Sequence, residues 1–154
     1  CDKIEAIVKA SIPVMGHIGL TPQSATSVGG FKVQGGTTEG ALKLISDARA
    51  LEAAGAFSIV LECVPSVVGK AITKSVSIPI LGIGAGPDVD CQVLITQDLL
   101  DMYGNFKPKF AKQFAHIRAE MLKGLNAFHA ETLSGEFPTL EYCFNKQVEI
   151  PQED

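Results

Sequence analysis

Apolar residues along the chain gather in short, nearly continuous runs rather than in strict alternation. Four stand out: Ile12-Pro13-Val14-Met15-Gly16, Phe57-Ser58-Ile59-Val60-Leu61, Ile78-Pro79-Ile80-Leu81-Gly82-Ile83-Gly84 and Val93-Leu94-Ile95. Runs of this kind suit the strands of a parallel sheet covered on both faces. Between the first two, Ala41, Leu44, Ile45, Ala48 and Leu51 recur on one helical face, and Gly55 ends the pattern. A strand, a helix and a strand are therefore expected. The next crossover is shorter, with Ser66 as the expected cap of a helix carrying Val67, Val68, Ala71 and Ile72. Ala85 to Gln92 holds too few residues for a substantial helix and reads as a loop. From Phe110 to Leu133 an amphipathic pattern runs through Phe114, Ala115, Ile117, Met121, Leu122, Leu125 and Phe128, predicting a docked or interface helix. Ser134 to Asp154 has no sustained period and reads as irregular.

One α/β domain accounts for this pattern, with residues 1–133 as its body and 134–154 as an irregular tail. Four strands with crossovers can form a small open sheet, or they can be half of a (β/α)8 barrel, which takes about 250 residues. A length of 154 residues argues against a complete barrel. The hydrophobic fraction of 46% with 19% charged residues is that of a folded chain rather than a disordered one. A net charge of −4 gives no electrostatic footprint for nucleic acid or an anionic membrane. The longest stretch without Asp, Glu, Lys or Arg, Ala10 to Phe31, contains two prolines and four glycines, so a membrane-spanning helix is not expected there. Cys1-Asp2-Lys3-Ile4-Glu5 lacks the basic start and apolar core of a secretion signal. A cytoplasmic chain is expected, with truncation at its amino end left open. The four cysteines form no CxxC pair and are expected to be reduced thiols rather than zinc ligands or a disulfide framework.

Candidate chemistry sits where the runs end. Glu62 directly follows Phe57–Leu61, at the carboxyl end of a parallel strand, where α/β enzymes place catalytic groups. A partly desolvated carboxylate there is a plausible proton acceptor, and a structural ion pair is the competing reading. His17 ends the run before it, between Gly16 and Gly19, and would converge with Glu62 on one mouth; a structural hydrogen bond is its alternative. Gly82-Ile83-Gly84-Ala85-Gly86 lacks the dinucleotide spacing and reads either as a packing turn or as a strand end stripped of side chains for a planar or phosphorylated ligand. Gly29-Gly30-Phe31-Lys32-Val33-Gln34-Gly35-Gly36 reads as a mobile loop over a site, and Lys32 as a solvated or ligand-facing cation. Lys107, Lys109 and Lys112 fit a solvated positive face better than an anion site.

Taken together, these segments resemble the ketopantoate hydroxymethyltransferase family. The likeness is carried by His17-Ile18-Gly19-Leu20-Thr21-Pro22-Gln23-Ser24, Gly29 to Gly35, Asp47-Ala48, Leu51 to Phe57, Val60-Leu61-Glu62-Cys63-Val64-Pro65, Gly82 to Gly86 and Pro108-Lys109-Phe110. The resemblance implies the carboxyl-terminal half of a (β/α)8 barrel that transfers a hydroxymethyl group from 5,10-methylenetetrahydrofolate to 3-methyl-2-oxobutanoate. It implies magnesium as the metal that stabilises the enolate, Glu62 as the base and His17 beside the keto acid. The family's metal ligands lie on strands before this chain begins, so no metal ligand and no folate-binding residue is assigned here. Asp90-Cys91-Gln92 departs from the family's usual glycine at its centre. A homo-oligomer is expected, along with the missing amino-terminal half as a partner. Two other readings remain: a truncated, non-catalytic interaction module, and a related aldolase-like enzyme whose glycine turn binds phosphate.

Overall fold

The computed structural model describes residues 2–24, 30, 32–104, 107–146 and 148. Its centre is a parallel sheet of four strands in the order β1-β2-β3-β4, formed by Met15–Gly19, Ser58–Glu62, Ile80–Ile83 and Cys91–Gln92. Helix α1, Asp2–Lys9, precedes the first strand. Helices α2, Thr38–Ala53, and α3, Ser66–Thr73, make the two crossovers between β1, β2 and β3. After β4 come a single turn, α4 (Thr96–Leu99), and the long α5 (Arg118–Ser134).

Alternation along the strands sorts side chains to two faces. Ile59, Leu61 and Ile80 are fully buried and pack with Leu44 and Ala48 of α2 and Val68 and Ile72 of α3. Ser58, Val60 and Glu62 fall on the opposite face, in register with Met15, His17 and Gly19 of β1. The core thus lies between the sheet and α2/α3, and the other face carries the polar strand-end groups. Thr37 caps α2 by accepting from the Gly40 N–H at 3.1 Å, and Gly55 (φ 92°) stops it.

Four expectations shift on inspection. The first strand starts at Met15 rather than Ile12, because Pro13 has no N–H to give a ladder, so His17 sits mid-strand instead of ending it. Ser66 is the first helical residue and makes no side-chain cap; Pro65 holds the cap position, and its carbonyl accepts from the Val68 and Gly69 N–H groups. The fourth strand is Cys91–Gln92, not Val93–Ile95: the Val93 N–H bonds the Gly82 carbonyl at the end of the ladder, and the apolar run leads out into α4. The helix expected from Phe110 begins only at Arg118. Between them the backbone bonds outward, with the Phe114 and Ile117 N–H groups donating to the Leu99 and Leu100 carbonyls. No described residue of α5 is buried, so its apolar positions are not docked against the described residues.

Glu52, near the end of α2, accepts from the Ser77 hydroxyl at 2.5 Å and the Ser77 N–H at 2.7 Å, tying α2 to the approach of β3. These two bonds hold its carboxyl below the ordinary carboxylate range. A lowered folded pKa contributes stability above the unfolded value, about 4.3, and that contribution is lost as pH falls through the folded value. Glu52→Gln is expected to lower the melting temperature most above pH 5 and by less as pH falls through the folded value. Melting curves of both proteins across pH 3–7 check this; parallel curves would remove Glu52 from the acid limb.

Candidate active site

Glu62 is the last residue of β2 and His17 the central residue of β1. Parallel pairing sets His17 opposite Val60 and Gly19 opposite Glu62, so the two side chains share a face and are offset by one step along it. His17 Nε2–H donates to Glu62 Oε2 at 3.0 Å. The pair is half-buried, with the side chains 31% and 15% exposed. The two groups singled out from separate runs are therefore brought into direct contact, beside the carboxyl end of β2.

The backbone around Glu62 is held from both sides. Its carbonyl accepts from the Leu20 N–H at 2.8 Å. Cys63 then takes a left-handed conformation (φ 53°), and its N–H donates to the Ile83 carbonyl while its own carbonyl accepts from the Gln34 N–H. A non-glycine residue in that region is uncommon, and here it turns the chain sharply just after the carboxylate. Burial pushes the Cys63 thiol up, and the Glu62 charge pushes it the same way. The thiol stays protonated near neutral pH and is no nucleophile. Cys63, Cys91 and Cys143 are all free, in line with reduced thiols; Cys1 lies outside the described residues.

The glycines beside His17 serve a different end from the one their spacing suggests. A side chain at Gly16 would run into Leu51 of α2, and one at Gly19 (φ 88°) would overlap the Glu62 carbonyl oxygen. Both admit close packing that fixes β1 on α2 and on β2. The glycine turn after β3 behaves likewise: Gly82 faces Val89, Gly84 lies under the Phe110 ring, and Gly86 meets Ser66.

Of the expected loop over the site, Gly29 and Phe31 lie outside the described residues. Its later part is anchored rather than loose, since Gln34 is tied through its backbone to Cys63 and through its side chain to the Lys32 carbonyl. Gln34 also lines a cavity of about 310 Å³ with His17, Thr21, Lys43 and Asp47, and Lys43 pairs with Asp47 at 2.6 Å. Gln34, Lys43 and Asp47 were not legible as site residues from the sequence, because no spacing connects them; only the fold draws α2 and the loop to β1. Lys112 stands 5.0 Å over the Phe114 ring. Among the described residues no group of three or more His, Cys, Asp or Glu could hold a metal ion, and no helix is long and apolar enough to cross a membrane.

The family model described as ketopantoate hydroxymethyltransferase matches residues 1–140. The chain belongs to the ketopantoate hydroxymethyltransferase family. It is 56% identical over 144 residues to a protein of Enterococcus faecalis named 3-methyl-2-oxobutanoate hydroxymethyltransferase, covering 94% of this chain and 52% of that one. Proteins of the same name from Syntrophomonas wolfei and Clostridium novyi are 50% and 54% identical, over 97% and 93% of this chain and 54% and 52% of theirs. The chain spans about half the length of the curated relatives it matches. Ketopantoate hydroxymethyltransferases are a TIM-barrel family, and this chain shows an α/β fold with a four-stranded parallel sheet among the described residues.

Proposed function

We propose that this chain carries the proton-transfer side of a hydroxymethyl transfer to 3-methyl-2-oxobutanoate. The observation behind the reading is the contact of His17 Nε2, from the middle of β1, with Glu62 Oε2 at the carboxyl end of β2, inside the family match. In the proposed reaction the C3–H bond of the keto acid breaks and its proton passes to the Glu62 carboxylate. The resulting enolate carbon forms a C–C bond to the one-carbon unit of 5,10-methylenetetrahydrofolate. Both carbon–nitrogen bonds of that unit break as one water adds; the water oxygen becomes the new hydroxyl and keeps one proton, and the other two protons, counting the one taken from C3, go to the two nitrogens of tetrahydrofolate, so atoms balance without a redox partner. His17 engages one carboxylate oxygen, which orients Glu62 and leaves the other to take the proton.

Magnesium, the metal implied by the family resemblance, would polarise the keto oxygen. The described residues do not form a cage for it, so no step is derived through it here. The sheet is proposed to be the second half of a (β/α)8 barrel. In support, its face opposite α2 and α3 carries Val60, Leu81 and the buried Ser58 hydroxyl, which has no hydrogen-bond partner among the described residues. A homo-oligomer belongs to the same reading, supported by Leu125, Phe128 and Leu133, all exposed on α5.

The test is deuterium exchange at C3 of 3-methyl-2-oxobutanoate, without folate, in catalytically competent protein containing this chain. Exchange is expected, and its absence under conditions that support product formation would refute enolisation by this site. His17→Ala in the same protein is expected to lower kcat/KM for the keto acid by about tenfold, the scale of one partly solvated charge-assisted hydrogen bond. Its melting temperature should change little. A lowered melt with normal kinetics would instead make His17 a structural hydrogen bonder.

A further inference from the structure

Register divides the face of the sheet that carries Glu62 into rows. Gly19, Glu62 and Ile83 make the row at the carboxyl end, and His17, Val60 and Leu81 make the row one step below it. Parallel strands lie about 4.8 Å apart and successive rows on one face about 6.6 Å apart, so these positions are the nearest neighbours of Glu62 on its face. They differ in kind on its two sides. Toward β1 stand His17, whose Nε2–H donates to the carboxylate at 3.0 Å, and Gly19, which has no side chain. Toward β3 stand Leu81 and Ile83, and Val60 lies directly below on β2 itself. Ile83 is 8% exposed and already covered, whereas Val60 and Leu81 are half-buried and keep free apolar surface.

The reacting carbon of the keto acid is also its branch point, since C3 carries both the hydrogen that leaves and the two methyl groups. A hydrogen set against the Glu62 oxygen that His17 leaves free brings C3 to within about 3–3.5 Å of that oxygen. The methyls, one bond further on, then reach the side chains that adjoin Glu62. Polar and bare ground on the β1 side suits the carboxylate and keto oxygens, and apolar ground below and toward β3 suits the methyls. We infer that the keto acid lies across β2 with its branch on Val60 and Leu81, and that these two side chains set the size of branch the site accepts. This rests on the proposed proton transfer to Glu62. A misfit of one methylene in an apolar pocket changes kcat/KM by roughly 10–200-fold, so removing methyl groups from this floor makes room for a longer branch at the expense of the shorter one.

The probes are 3-methyl-2-oxobutanoate and 3-methyl-2-oxopentanoate, which differ by one methylene in the branch. In catalytically competent protein containing this chain, deuterium exchange at C3 without folate and the dissociation constant of each acid are measured side by side. Val60→Ala and Leu81→Ala are each expected to raise the ratio of pentanoate to butanoate kcat/KM for exchange by about tenfold, and Val60→Ile to lower it. Ile59→Val is the control: it thins the same strand on the face packed against α2 and α3, so it lowers the melting temperature and leaves the ratio unchanged. Equal ratios in the parent and the floor variants overturn the assignment, as does an equal shift in Ile59→Val. If an alanine variant fails to fold, Val60→Ile, which only adds a methylene, still gives the reading. Exchange absent in the parent, with dissociation constants that shift as expected, defeats proton transfer at Glu62 and spares the floor. Exchange present with a fixed ratio defeats the floor alone, and binding of neither acid to the parent defeats both.

Discussion

Glu62→Gln is expected to slow deuterium exchange at C3 of the keto acid by roughly 10²-fold or more while leaving keto-acid binding largely intact. The amide keeps the shape of the side chain and can still accept from His17 Nε2, so the 3.0 Å contact survives. What it loses is basicity, since an amide oxygen does not hold a proton near neutral pH. A lowered rate with little change in keto-acid affinity is thus the signature of a base rather than a structural acceptor. Were Glu62 an ion-pair partner with no chemical part, the same substitution would alter stability and spare exchange. Comparing exchange rate, keto-acid affinity and melting temperature in one variant separates these outcomes, and unchanged exchange removes Glu62 from the role.

Much of the sheet is legible in the sequence because its strands carry apolar residues on both faces, Ile59 and Leu61 toward α2 and α3 and Val60 and Leu81 on the other side. The pairing of Glu62 with His17 is legible only as a convergence of two strand ends; the contact itself depends on register, which no local pattern encodes. The start of β1 is displaced from its apolar run because Pro13 breaks the ladder, and β4 is displaced because an edge strand needs only two bonded residues. Helix α1 is illegible for another reason. Its Ile4, Ile7 and Val8 give too short a period over eight residues, and Val8 finds its place by packing on Gly55, 47 positions later in a chain numbered from Cys1. At Phe110–Ile117 the helical period misleads because those apolar side chains serve inter-segment contacts, with Ala111 buried and Phe110 laid on Gly84.

Gly19→Ala is expected to be among the most damaging single substitutions in the chain, although it adds one methyl group. At φ 88° an L side chain is strained by itself, at roughly 1–2 kcal/mol. Its Cβ would also overlap the Glu62 carbonyl oxygen, a backbone atom that cannot swing aside, and would press Val64 Cγ1 at 3.1 Å. Relief requires β1 and β2 to part at their carboxyl ends. That movement breaks the Leu20 N–H bond to the Glu62 carbonyl, worth about another 1 kcal/mol, and draws His17 away from the carboxylate. Gly16→Ala is the control, because its Cβ meets chiefly the flexible end of Leu51, at 2.7 Å, in ordinary extended backbone. Denaturant unfolding should therefore show Gly19→Ala less stable than the parent by about 2–4 kcal/mol, with Gly16→Ala losing clearly less. Keto-acid exchange should fall in Gly19→Ala even at temperatures where the protein remains folded. Equal losses in both variants would mean that the Gly19 backbone does not position Glu62, and that strand spacing at this edge yields more readily than the geometry implies.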